Sequence, residues 1–127
     1  MDEIYNELRN IRTKVESIEK AQEVLVRAER DRILADILPG FESDPILAHV
    51  YMLVDGIRGQ RQIAAAMTAA GRRGASEATI SRKLETLRDM DLVELFDRTA
   101  AGNIYRRTHI DRLLRLSRRV QQILDAR

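Results

Sequence analysis

Residues 76–89 read Ser-Glu-Ala-Thr-Ile-Ser-Arg-Lys-Leu-Glu-Thr-Leu-Arg-Asp, with hydroxyl, guanidinium and ammonium groups at helical spacing over an apolar stripe. Ser76 has the side chain of an N-cap, and Ile80, Leu84 and Leu87 recur at i, i+4 and i+7, so they form the buried face of a helix. The opposite face then carries Ala78, Thr79, Arg82, Glu85, Thr86 and Asp89. Near its start that face is small and polar, as a helix end entering a DNA groove must be. Arg82 can fork onto a guanine edge or a phosphate, Thr79 can donate to either, and Ser81 and Lys83 flank them where a backbone would run. Unpaired N–H groups beyond Ser76 favour a phosphate, whereas the carboxylate of Asp89 must stay outside the groove. An ordinary solvated amphipathic helix is the alternative for this segment.

A second set of cations surrounds a turn. Arg98 precedes and Arg106 and Arg107 follow Thr99-Ala100-Ala101-Gly102-Asn103, a run of turn composition. Arginines gathered at one turn suit contact with a backbone or a narrow groove. Arg72 and Arg73, just ahead of Ser76, are phosphate contacts on the same reasoning.

Several elements must position these groups. Residues 2–38 contain no Gly or Pro, and Ile4, Leu8, Ile11, Val15, Ile18 and Leu25 follow a heptad seam with Gln22 at its polar step. A 37-residue helix would be roughly 55 Å long, too long for a body of this size to cover, so the stripe is expected to meet a second copy of the chain. Beyond Leu25 the apolar set widens through Val24, Val26, Ile33, Leu34, Ile37 and Leu38, and Pro39-Gly40 is expected to stop the helix. Asp44-Pro45 is an N-cap followed by Pro at the first helical position, opening a helix to about Val54. A further helix runs from about Gln60 to Ala70 and closes at Gly71. After the 76–89 helix, Leu92 to Leu95 and Ile104 to Thr108 read as the strands of a hairpin. A last helix from about Ile110, with Leu113, Leu116, Val120 and Ile123 on one face, is a second candidate for a dimer interface.

The predicted fold is therefore mainly α with a small β-hairpin. It comprises a coiled-coil dimerisation helix (1–38), a central domain (44–108) and a C-terminal helix (109–127). Within it, Ser76 to Val93 resembles the pattern S-x-x-T-[IV]-S-R-x-L-x-x-L-x-x-x-G-L-V of the winged helix-turn-helix in the MarR and ArsR regulator families, the likeness extending over about 65 residues, 44–108. It implies a recognition helix in the major groove and a hairpin wing on the adjacent groove or backbone, in a transcriptional regulator. Asp97-Arg98 looks like the acid-arginine pair of MarR-type wings, in which the acid steadies an arginine reaching the minor groove. The chain departs from the pattern at Asp91, where Gly is usual, and in a longer 67–76 connection.

Composition narrows the alternatives. At 127 residues the chain suits one compact domain with an appendage, and 44% hydrophobic content with 4% aromatic suits helical packing. No cysteine is present, which excludes disulfides and thiol chemistry. Residues 1–44 carry a net charge of −4 and residues 45–127 one of +6, so the body and not the arm is expected to meet a polyanion. His109-Ile-Asp111 has the spacing of some ArsR-type metal ligands, but with two histidines in the chain no metal and no cofactor is expected. His49, inside an apolar helix, reads as a structural histidine. No phosphate loop, H-E-x-x-H or Ser-His-acid set is present, and the expectation is a non-enzymatic, cytoplasmic protein without a membrane span. The competing function is a protein-interaction adaptor that uses the same fold and coiled coil to recruit a partner.

Overall fold

A computed structural model describes residues 2–100 and 102–127, leaving the side chains of Glu19, Gln22, Glu23 and Val26 outside the description. The protein is mainly helical with one two-stranded antiparallel hairpin. It divides into two compact units, residues 1–35 and 36–127.

The first unit is the N-terminal part of α1 (Asp2–Ser43), opened by Asp2 and Glu3 where the helix dipole favours acids. Ile4, Leu8, Ile11, Val15, Ile18 and Leu25 are between 45% and 65% exposed, and Val24 is as open as they are, so the expected inward widening does not begin there. On the polar side the Thr13 and Ser17 hydroxyls donate to the carbonyls four residues earlier.

Pro39-Gly40 does not stop α1, which continues to Ser43. Pro39 cannot bond the Ala35 carbonyl, and the boundary between the units falls at that residue. What carries the helix past the proline is tertiary. Phe41 is fully buried, its ring 5.5 Å from that of Tyr51.

In the second unit the capping residues act locally. The Asp44 carboxylate accepts from the Leu47 N–H, with Pro45 opening α2 (Pro45–Leu53). Asp55 then accepts from the Ile57 and Arg58 N–H groups in the turn that follows. Gly59 caps α3 (Gln60–Ala69), its N–H donating to the Gln62 side chain. That helix ends in a Schellman motif, with Arg72 N–H to the Met67 carbonyl and Gly71 N–H to that of Thr68, around Gly71 at φ 74°. Ser76 caps α4 (Glu77–Asp89), whose Ile80, Leu84 and Leu87 are fully buried. A second Schellman motif closes α4 around Asp91 at φ 59°, so aspartate takes the left-handed position where glycine is the easier residue.

Strands β1 (Val93–Thr99) and β2 (Gly102–Arg107) are longer than the composition of 99–103 suggests. Thr99 pairs with Gly102, so both strands reach into the run expected as the turn, of which Ala101 lies outside the described residues. Phe96 is the extra residue of a bulge between Leu95 and Asp97. On the far side of β2, Ile104 bridges to Gly59 and the Tyr105 carbonyl accepts from Gly56 N–H, which ties the α2–α3 connection to the hairpin edge. Packing of α2 on α4 and α6, and of α3 on α4, closes the core around Tyr51, Ile63, Met67, Leu84, Leu92 and Leu116.

The expected last helix is two helices, α5 (His109–Leu114) and α6 (Leu116–Asp125). Arg115 sits between them in the left-handed region at φ 52°. This break rotates the apolar face. Leu113 is 55% exposed while Leu114, Leu116 and Val120 are buried. Packing of α6 on α2 covers Leu116 and Val120, while Ile123 of the same expected face is half-buried.

Candidate nucleic-acid interface

The start of α4 is built from its cap outward. Ser76 Oγ accepts from the Thr79 N–H at 3.2 Å, and the two hydroxyls lie 3.0 Å apart, so Thr79 belongs to the cap and is half-buried. Ala78 and Arg82 are exposed, Ser81 is half-buried, and the Thr86 hydroxyl donates back to the Arg82 carbonyl. Among the described residues Arg82 makes no side-chain ion pair. Glu77, whose charge would repel a phosphate, stands 3.8 Å from Arg61 of α3. Arg61 is a cation of this surface that the sequence pattern does not single out. Its position two residues after the α3 cap is the only signal.

Arg72 and Arg73 are exposed on the connection that leads into Ser76. The connection is held by Gly74 at φ 77° and by Ala75, which is buried. Arg72 also faces His49. Burial, then the charges of Arg72 and Arg127, hold that imidazole below its usual pKa and so favour its neutral form. These three residues line an open recess of about 570 Å³ bounded by α2, α3 and α6.

Lys83 has a different task from the flanking contact expected of it. Its ammonium lies 2.6 Å from Asp44 Oδ2, on the carboxylate whose other oxygen caps α2, and both side chains are about two-thirds buried. Burial pulls the Asp44 pKa up, but Lys83 and the Leu47 N–H outweigh it and hold the carboxyl below its usual value. Lys83 thus joins α4 to α2.

The hairpin arginines separate in the same way. Arg98 is exposed beside the turn, while the Asp97 carboxylate accepts from the Arg98 backbone N–H at 2.7 Å. Within the described residues the acid steadies the strand and not the guanidinium. Arg106 forms a 2.6 Å ion pair with Glu94, its cross-strand partner, and covers the exposed Phe96 ring at 4.8 Å. Arg107 turns inward, donating to the Tyr51 and Met52 carbonyls at the end of α2 and lying 5.1 Å over the Tyr51 ring. A cation at a helix C-terminus, satisfying open carbonyls, is a structural group. Arg107 therefore leaves the expected contact set.

Asp111 is equally committed. It accepts from the Tyr51 hydroxyl at 2.6 Å, from the Ser117 N–H at 2.7 Å and from the Ser117 hydroxyl at 3.2 Å, with Arg107 at 4.0 Å. These bonds fix the α5–α6 corner. Burial, then Asp111, push the Tyr51 phenol far above its ordinary pKa. No group of three metal-ligating side chains is assembled among the described residues.

Of the expected contact residues, Arg72, Arg73, Ser76, Ala78, Arg82 and Thr86 are exposed at or just before α4, and Arg98 and the Glu94-paired Arg106 are exposed on the hairpin. No protein family, curated protein or solved structure matches the chain. No described helix is long and apolar enough to cross a membrane.

Proposed function

We propose that the protein is a sequence-specific double-stranded DNA-binding transcriptional regulator acting as a cytoplasmic homodimer, with residues 44–108 as a winged helix-turn-helix of the MarR/ArsR kind. In this reading α4 is the recognition helix in the major groove and the β1–β2 hairpin is the wing. The α1 seam joins two copies, and no catalytic step is assigned. The order α2, α3, α4, β1, β2, the strand-like bridge at Gly59 and the Ser76 to Val93 pattern support the fold assignment.

The observation that carries the functional reading is the start of α4. Its buried stripe of Ile80, Leu84 and Leu87 holds the helix firmly while Ala78 and Arg82 stay outward, and Arg72 and Arg73 are exposed on the connection before it. The lengthened connection supplies two exposed arginines immediately before an open helix N-terminus, a combination that suits a phosphate entering at Ser76. Two-fold symmetry favours a pseudo-palindromic site with half-sites about one turn or more apart.

Selection of bound sequences from a random duplex library, followed by titration of Arg82→Ala and Arg98→Ala, tests this. Arg82→Ala is expected to weaken the selected site far more than a scrambled one, and Arg98→Ala to weaken both alike. Variants that change neither would place the reading surface elsewhere. A wild-type protein that enriches no sequence and retains no duplex would favour the adaptor role instead.

A further inference from the structure

The seam of the first unit is an exposed apolar face, and the residues beside it carry a direction. Seven-residue spacing puts Ile4, Ile11, Ile18 and Leu25 at position d and Leu8, Val15 and Gln22 at position a. On the flanks, Glu7 and Lys14 then occupy g, and Arg12 and Glu19 occupy e. In a parallel coil each g position faces the e position five residues further along the other chain. Glu7 then meets Arg12 of the second copy, a pair of opposite signs.

Antiparallel pairing sets e against e and g against g. The register that aligns Ile4 with Gln22 brings Arg12 against Arg12 and Lys14 against Lys14. Sliding to align Leu8 with Leu25 relieves this but leaves Ile4 opposite Glu29. Of these arrangements only the parallel, in-register one buries all six seam residues and satisfies the Glu7–Arg12 charge pair.

We propose that the α1 seams of identical chains associate parallel and in register. This rests on the reading of residues 1–38 as the joining element and adds its direction. Both chains then leave the coil at the same end, so their second units start side by side, as binding to one two-fold site requires. Antiparallel pairing in those registers would place the starts roughly 60–70 Å apart at ~1.5 Å per residue. Isoleucine at three d positions beside leucine at an a position shifts parallel coils toward three or four strands, so a wild-type sedimentation mass above two chains would overturn the dimer while keeping the parallel register.

The chain has no cysteine, so introduced thiols report unambiguously. Full-length Leu8→Cys should form a disulfide-linked pair in a glutathione redox buffer. A mixture of Leu8→Cys and Leu25→Cys should yield 8–8 and 25–25 links and few 8–25 links. In sedimentation, Arg12→Glu is expected to raise the dissociation constant about tenfold, and adding Glu7→Arg to restore it to within about twofold. Predominant 8–25 links, or no rescue by the double reversal, would overturn the parallel arrangement while leaving self-association intact. A wild-type mass of one chain at micromolar concentration would overturn the joining role of α1, and the proposal with it.

Discussion

The base of the hairpin and the start of α4 use the same residue type for opposite ends. At the hairpin base, Arg107 is three-quarters buried and bound to two carbonyls at the end of α2, and its neighbour Arg106 is held by Glu94 and Phe96. At the start of α4, Arg82 stands open with the core stripe behind it, and Arg72 and Arg73 are exposed on the connection before the helix. A guanidinium that reaches helix-end carbonyls within its own chain stabilises the fold, whereas one aimed away from every acceptor is available to a polyanion. Count and proximity of arginines do not separate the two; only the acceptor does.

Arg107→Ala should produce the largest effect. Losing two charge-assisted bonds and the stacking on Tyr51 is expected to cost about 2–3 kcal/mol in urea unfolding, with duplex affinity of the folded fraction unchanged. Arg82→Ala should do the reverse. Affinity for a selected duplex is expected to fall about tenfold or more, while stability stays within about 0.5 kcal/mol. An Arg82→Ala protein that unfolds easily, or an Arg107→Ala protein that stays stable and loses DNA, would break the contrast.

Asp44→Ala should cost about 1–2 kcal/mol through the lost α2 cap. Because the Asp44 carboxyl is held below its ordinary value of 3.8, its extra stability is present above that pH and is lost as pH falls through the lower folded value. The unfolding midpoint should therefore drop more steeply in acid for wild type than for Asp44→Ala. Smallest is Arg106→Ala. Glu94 already competes for this side chain, so affinity should fall by no more than about threefold for every duplex, with at most about one counterion removed from the salt dependence.

What was legible in the sequence is what short-range rules govern. The caps at Asp44 and Ser76, the stop at Gly71, the left-handed Asp91 and the Ile80, Leu84, Leu87 stripe each depend on residues within one or two turns. What was not legible depends on contacts across the fold. Pro39 is passed because Phe41 has a place against Tyr51, and the last helix breaks at Arg115 because Asp111 takes the Ser117 N–H. Lys83 and Arg107 look like surface cations until α2 is placed beside them. The pattern thus counts Lys83 and Arg107 as outward groups, although the fold uses both internally.

In the proposed function the start of α4 binds DNA, and titration of a labelled random duplex with the full-length protein at low and then moderate salt is the test. Binding is expected at low salt and should weaken steeply as salt rises, the signature of counterion release from several phosphates. No binding at low salt would contradict it.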